Sequence, residues 1–205
     1  MKQPLRYQIT EYDCGPTSLL NAVSFLFERE DIPPELVRNI MLYSLDTYGA
    51  DGFSGKSGTS HTAMLFLSHW LEGFGKAGRL PIRSEYLTGR DVNLSAGSRI
   101  VSALRRGGAA VVRLYLDGWH YVLLTGLEGE GVLVFDPYYQ PDALPAEVQA
   151  VQGEETRYNR IVPRSLFETE EIRPYGFGPY EQREAVLLFN RATELTEENT
   201  IEYMI

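Results

Sequence analysis

The stretch from Gln8 to Val23, QITEYDCGPTSLLNAV, places the only cysteine of the chain at the start of a predicted helix. Pro16 suits a first helical position, because its missing N–H would have no partner there anyway. Apolar residues recur at helical spacing after it, which predicts a helix from about Pro16 to Glu28. Cys14 directly precedes this helix. Its sulfur is therefore expected at the positive end of the helix dipole, a position that favours the nucleophilic thiolate.

Two more helices are predicted before residue 79. One opens at Pro33 and Pro34 and runs to about Tyr48. The other follows a cap at Thr59 or Ser60, and its apolar side is predicted to contain Met64, Leu65, Leu67, Trp70 and Leu71.

From residue 79 onward the pattern becomes typical of strands. Strands are predicted at about 79–87, 109–116, 120–127, 131–139 and 184–190, with one helix capped by Ser95 and stopped by Gly107. A hairpin turns at Glu128-Gly129-Glu130, and 141–158 is predicted to be loop. Helices followed by an antiparallel sheet predict one α+β domain, with a helical part over about 1–78, a sheet-rich part over about 79–190 and an acidic tail over 191–205.

The composition narrows the class of protein. With 205 residues and a formal net charge of −9, the chain lacks the concentrated basic face that nucleic-acid binding needs. A single cysteine excludes an intramolecular disulfide, and no apolar run approaches the ~20 residues of a membrane span. The N-terminus shows no secretory signal. We therefore expect a cytoplasmic protein with no membrane span and no nucleic-acid partner.

Asp136 is predicted to lie beside His120. His120 begins one predicted strand and Asp136 ends the next. If Leu127 pairs with Gly131, Asp136 falls opposite Val122, which shares a strand face with His120. The two side chains are then diagonal neighbours at ~7–8 Å, within reach of each other. A carboxylate there can hold the imidazole tautomer and stabilise the imidazolium, as acyl-transfer triads require.

Gln8 is a candidate for stabilising the oxyanion. Its side chain supplies an amide NH2 upstream of the thiol. With the backbone N–H of Cys14 it can form an oxyanion hole, which contributes ~3–4 kcal/mol per donor in other enzymes.

These residues, in this order, resemble a known family. The blocks Gln8, Asp13-Cys14-Gly15-Pro16, His120-Tyr121-Val122 and Asp136-Pro137-Tyr138 are similar to those of the double-glycine leader (bacteriocin-processing) cysteine peptidases and their stand-alone relatives in the papain-like clan. The resemblance implies a papain-like cysteine peptidase fold, with Cys14 as nucleophile, His120 as base and acid, Asp136 as orienting group and Gln8 as oxyanion donor. It implies a peptide or a small amide or thioester as substrate, and no cofactor.

Three functions stay open on the sequence alone. The triad suits amide hydrolysis, but an amide-forming, aminoacyl or peptidyl transferase uses the same residues, because the cleft selects the acceptor. A non-catalytic binding module on the same fold is the third alternative. Considered singly, Cys14 is more often a buried inert thiol. His69 is interpreted as structural. His61 is interpreted as an exposed first-turn residue that can also line the cleft.

Metal and nucleotide sites are rejected. Cys14 and the three histidines do not show the spacing of a zinc site. The glycine-rich stretch 49–58, GADGFSGKSG, fits a permissive P-loop, but a helix is predicted before it where a P-loop needs a buried strand. We expect this stretch to be a surface loop beside the cleft that binds no nucleotide.

Overall fold

The computed structural model describes residues 1–44, 57–139 and 144–196. Three helices precede the sheet: α1 (Cys14–Leu26), α2 (Pro34–Ser44) and α3 (His61–Lys76). Residues 45–56, 140–143 and 197–205 lie outside the described residues. The predicted end of the second helix at Tyr48, most of the 49–58 stretch and most of the acidic tail therefore lie there too.

Helix α1 begins two residues earlier than predicted, at Cys14 itself. Pro16 is thus the third helical residue, which is compatible with a helix because the first-turn N–H groups have no helical acceptor. The helix also ends two residues early, since Phe27 adopts an extended conformation with φ −120° and ψ 153°. Cys14 is therefore the first residue of the helix.

The caps of the other helices differ in how well the sequence predicted them. Ser60 caps α3, and its hydroxyl accepts a 3.2 Å hydrogen bond from the N–H of Ala63. The Ser95 cap is wrong: α4 (Arg99–Arg105) begins later, and Ser98 accepts from Val101 N–H at 3.1 Å. Gly107 ends this helix with φ +78°, as predicted.

Seven strands form one antiparallel sheet in the order β1-β7-β2-β3-β4-β6-β5. Four of the five predicted strands are found close to their expected limits. The fifth, β4, is shorter and ends at Phe135. The short strands β5 and β6 were not predicted, because two to four residues carry too little alternation to be recognised. The strands are β1 Ile82–Thr88, β2 Ala109–Tyr115, β3 Trp119–Glu128, β4 Gly131–Phe135, β5 Gln149–Ala150, β6 Arg160–Pro163 and β7 Glu184–Asn190.

The sheet is covered on both faces. Helices α1, α2 and α3 pack on the face that contains Val111 and Leu123, whereas α4 packs on the face that contains Val112 and Leu124. In α3, Leu65 is 37% exposed, so its predicted burial is wrong; Met64, Leu67 and Leu71 are buried. The predicted α+β class, with N-terminal helices on an antiparallel sheet, is confirmed. None of the described helices has both the length and the apolar character needed to cross a membrane.

The β3–β4 hairpin has the predicted register near His120, although its turn is shorter than predicted and β3 contains a bulge. Its turn is two residues long rather than three, because Glu128 pairs with Gly131. A β-bulge between Leu124 and Gly126 then shifts the register by one residue. Beyond the bulge Leu123 pairs with Phe135, which is the predicted register at the end of the hairpin where His120 lies.

Candidate active site

Cys14 is held against the sheet by helix α1. One turn after Cys14, the Ser18 hydroxyl donates a 3.0 Å hydrogen bond to the carbonyl of Tyr121 in β3. This contact places the first residue of α1 near the beginning of β3. The adjoining Gly15 leaves no room for a side chain, since a Cβ there would lie 2.2 Å from Thr59 Oγ1. The thiol is 7% exposed.

Asp13 fixes the loop that precedes the thiol. Its carboxylate accepts hydrogen bonds from the N–H of Ile9 at 2.9 Å and from the N–H and hydroxyl of Thr10 at 2.6 Å. Burial tends to raise the pKa of this carboxyl, but the hydrogen bonds outweigh burial and the pKa is lowered. The Asp13 side chain makes no cap hydrogen bond to α1. The first N–H groups of that helix are therefore not covered by this carboxylate.

His120 and Asp136 are in direct contact, as the pairing argument predicts. His120 is the second residue of β3, Asp136 follows β4, and His120 Nε2 lies 2.8 Å from Asp136 Oδ1. Since Nε2 faces the carboxylate, Nδ1 is the ring nitrogen left for the thiol of Cys14, which is near enough to raise the pKa of the imidazole. The structure thus places Cys14, His120 and Asp136 close together.

The Asp136 carboxylate is only 1% exposed and is supported from several sides. The Tyr138 N–H donates to Oδ1 at 2.9 Å, and the guanidinium of Arg160 lies 3.6 Å from Oδ2. Asn159 bonds the backbone N–H and carbonyl of Asp136 at 2.9 and 2.8 Å. This support fixes the carboxylate and, through it, the orientation of the imidazole.

The same neighbours set the charge of His120. Burial alone would lower the pKa of this imidazole. The hydrogen bonds and negative charges of Asp136 and Cys14 act against burial and raise the pKa from 6.5 to about 10. The raised pKa favours the imidazolium, whose two N–H groups can both donate.

Gln8 lies beside this arrangement. Its backbone N–H donates to the carbonyl of Pro137, the residue after Asp136, at 2.9 Å. Its side-chain Nε2 donates to the Thr10 carbonyl at 2.8 Å. An amide NH2 has two hydrogens, and within the described part of the chain the second N–H of Gln8 has no acceptor. Its oxyanion role remains a prediction.

Two cavities open beside the site. The histidine-side cavity, about 480 Å³, is lined by Gln8, His120 and Tyr138 among others. The arginine-side cavity, about 260 Å³, is lined by Cys14, Thr59, Arg113 and Tyr121 among others.

The two cavities share the lining residues Glu11, Tyr12 and Trp119, which makes them neighbouring halves of one cleft. Ser57 and Gly58, the end of the predicted surface loop, line the arginine-side cavity.

A second histidine–carboxylate pair lies on the α1 side of the sheet. His61 Nδ1 is 3.1 Å from Oε1 of Glu184, whose side chain is fully buried. The hydroxyls of Tyr121 and Tyr86 donate to the same carboxylate at 2.5 and 2.6 Å. Burial and this carboxylate raise the pKa of both phenols, so they remain donors. Arg113 Nη1 completes the cluster, 2.6 Å from His61 Nε2.

Gln8 and His120 line one half of the cleft, Cys14 lines the other, and the Glu184 cluster was missed. His61 is not simply an exposed first-turn residue, although its side chain is 41% exposed, because both of its ring nitrogens have partners. One signal was present in the sequence: Arg113 stands alone as a charge among the apolar residues of β2. No pairing rule connects it to Glu184 seventy-one positions later.

Comparison with solved structures finds chains of similar fold. A solved structure described as a candidate C39-like peptidase from Bacillus anthracis is similar with a TM-score of 0.49 and 15% sequence identity, over 90% of this chain and 93% of that one. No family model matches the sequence, and no curated protein matches it. The chemistry of the site therefore rests on its own side-chain geometry.

Proposed function

We propose that the protein is a cysteine peptidase or a closely related acyl-transfer enzyme, with Cys14 as nucleophile, His120 as base and acid, and Asp136 as the orienting group. One observation carries the proposal. The His120 ring is bonded to a buried carboxylate at 2.8 Å, and the only thiol of the chain lies near enough to raise the pKa of that ring. Nucleophilic catalysis by cysteine requires these three groups in this order.

In the first half-reaction the Cys14 thiolate attacks the carbonyl carbon of an amide or thioester. The carbonyl π electrons move to the oxygen, and a tetrahedral intermediate forms. As the intermediate collapses, the imidazolium of His120 gives its Nδ1 proton to the leaving amine or thiol. The products are a thioester between Cys14 and the acyl group, and a neutral imidazole.

In the second half-reaction the neutral His120 removes a proton from the acceptor, which then attacks the thioester carbonyl. The second tetrahedral intermediate collapses by breaking the C–S bond, which releases the acyl product and the Cys14 thiolate. Water as acceptor gives hydrolysis, and an amine gives transfer. Asp136 stabilises the imidazolium that forms again. The oxyanion of both intermediates is assigned to the free amide N–H of Gln8 and the backbone N–H of Cys14.

Reaction of Cys14 with iodoacetamide tests the nucleophile without a known substrate. At pH 6 iodoacetamide reacts slowly with an ordinary thiol, so the rate at that pH reports how strongly the start of α1 and the His120 ring activate Cys14. We expect alkylation of native Cys14 to be ~10- to 100-fold faster than that of a cysteine-containing peptide. Labelling only after denaturation would contradict the proposal, because it would identify an inert buried thiol.

Turnover separates the three functions that the sequence leaves open. A panel of peptides and thioesters is incubated with the protein, and intact mass reports any acyl group on Cys14. Decay of the acyl-enzyme in water identifies a hydrolase, whereas decay only on addition of amines identifies a transferase. A reactive thiol that forms no acyl-enzyme with any member of the panel indicates a binding module.

A further inference from the structure

We propose that the arginine-side cavity is a substrate subsite for a carboxylate group, with Arg113 as the donor that binds it. The inference rests on the proposed thiol chemistry of Cys14 and names the substrate class: an acyl or peptide substrate with a carboxylate close to the reacting carbonyl. The carboxylate is either a side-chain group or a free chain end, since both present the same two oxygens to a guanidinium.

Arg113 is placed beside the thiol by the sheet. It lies in β2 directly opposite Tyr121 of β3, and both residues line the cavity together with Cys14. The Arg113 side chain is only 14% exposed. Among the described residues that line either half of the cleft, it is the only lysine or arginine. Arg113 therefore supplies a permanent positive charge next to Cys14 for an anionic group of a substrate.

One edge of the guanidinium is fixed, and another is left for a ligand. Nη1 donates to the carbonyl and side-chain oxygens of Gln182 at 3.2 Å each, in addition to its contact with His61. Nε lies 3.9 Å from Glu184 Oε1, and the guanidinium stacks 4.5 Å over the ring of Trp119. Within the described ranges Nη2 makes no hydrogen bond. A guanidinium held in this way binds a ligand with little further loss of side-chain entropy.

Two carboxylates near the subsite influence how strongly it attracts anions. Glu184 lies beside Arg113, so the positive charge of Arg113 is largely offset at a distance from the pair. Selectivity for a carboxylate is therefore expected from short hydrogen bonds to the guanidinium rather than from a long-range positive potential. Glu11 is exposed and lines both halves of the cleft, where its charge disfavours anions. Removing the charge of Glu11 is therefore expected to act in the opposite direction to removing that of Arg113.

The test compares two reagents that differ in one group. Iodoacetate and iodoacetamide alkylate Cys14 by the same displacement of iodide, but only iodoacetate carries a carboxylate. The ratio of their rate constants is the measure, because a change in the reactivity of the thiol itself affects both reagents. In Arg113→Gln we expect this ratio to fall ~10-fold, the effect of losing one charge-assisted hydrogen bond. In Glu11→Gln we expect it to rise about 2-fold.

Arg105→Gln is the matched control, because Arg105 is exposed and lies on α4, across the sheet from α1. A fall in Arg113→Gln with no fall in Arg105→Gln supports the subsite. Equal ratios in wild type and Arg113→Gln overturn it, as does an equal fall in both variants, which would report net charge alone. Absence of alkylation by either reagent overturns the proposed thiol chemistry and the subsite together.

A measurement on the wild-type protein keeps the test independent of whether Arg113→Gln folds. Propionate is expected to slow alkylation by iodoacetamide in a saturable manner. Neither the neutral analogue propionamide nor chloride at the same ionic strength is expected to slow it. Equal protection by propionate and propionamide would contradict the subsite. N-acetylated peptides with a free or amidated C-terminus, and with Glu or Gln near it, then distinguish the two sources of the carboxylate by kcat/KM. Equal kcat/KM values for the peptides with and without each carboxylate would also overturn the proposal.

Discussion

Among the described residues, two histidine–carboxylate pairs lie near Cys14, and only the first fits the proposed catalytic role. His120 contacts Asp136 at 2.8 Å, and His61 contacts Glu184 at 3.1 Å. By strand alternation the two pairs lie on opposite faces of the sheet, since His120 and Tyr121 are neighbours in β3. They differ in what the second ring nitrogen meets.

In the first pair the second nitrogen is left for the nearby thiol of Cys14, which can accept and return a proton. In the second pair it meets Arg113, and a guanidinium can only donate. His61 Nε2 must therefore accept, and its proton lies on Nδ1, where it is donated to Glu184. The comparison teaches that a carboxylate beside a histidine does not make a proton relay. The partner of the other ring nitrogen decides whether the imidazole can exchange a proton.

Removing each imidazole in turn should separate the two pairs most strongly. We expect His120→Ala to lower kcat/KM on any substrate by ~10⁴-fold, because the thiol loses both its base and the acid for the leaving group. We expect His61→Ala to lower it by less than ~10-fold, through the position of Arg113 alone. Steady-state kinetics on both variants, with circular dichroism to confirm folding, measure this. Equal losses in the two would show that the pairs act as one unit.

Gln8 belongs to the His120 side only, and its contribution is expected to be the next largest. If its free amide N–H donates to the oxyanion, Gln8→Ala should lower kcat by ~100- to 1,000-fold and leave KM nearly level, because the bond forms mainly in the transition state. Gln8→Glu keeps the size and should be at least as damaging at pH 7. Wild-type kcat in a well-folded Gln8→Ala protein would remove Gln8 from the site.

The pH dependence of stability should reveal the first pair with the smallest effect. The folded pKa of His120, about 10, lies above the ordinary value of 6.5. The stabilising contribution is therefore fully present below pH 6.5 and is lost as the pH rises through about 10. Between these values wild type should lose on the order of 3 kcal/mol more unfolding free energy than His120→Gln.

Denaturant unfolding at pH 6.5 and pH 10 measures this difference. His61→Gln is the matched control and should show the wild-type loss, because His120 and Asp136 are intact in it. If His120→Gln loses as much stability as wild type, the imidazolium is not held by its neighbours.

The sequence predicts the first pair and misses the second for a physical reason. His120 and Asp136 belong to one hairpin, where strand alternation and a short turn fix the neighbours of each residue locally. His61, Arg113 and Glu184 come from a helix start and two strands far apart in the chain. Only the order β7-β2-β3 in the sheet brings these strands together, and no local pattern encodes that order.

The position of Cys14 at a helix start was predictable, because Gly15-Pro16 is a strong local signal. The depth of its packing was not. The close approach of Thr59 to Gly15 depends on where α3 lies against α1. Likewise, Arg160 supports Asp136 from β6, a strand of four residues whose pattern is too short to predict.

The bulge in β3 contains one extra residue, Thr125, which is not paired with a residue of β4. Thr125 lies between the two registers, so a chain without it would pair Gly126 and Leu124 with consecutive residues of β4 and would still set Leu123 against Phe135. We therefore expect a deletion at this position to leave the register at His120 unchanged. Loss of one residue between His120 and Leu124 instead reverses which face His120 occupies. The length of the hairpin tip therefore does not set the position of His120, whereas the length of its base does.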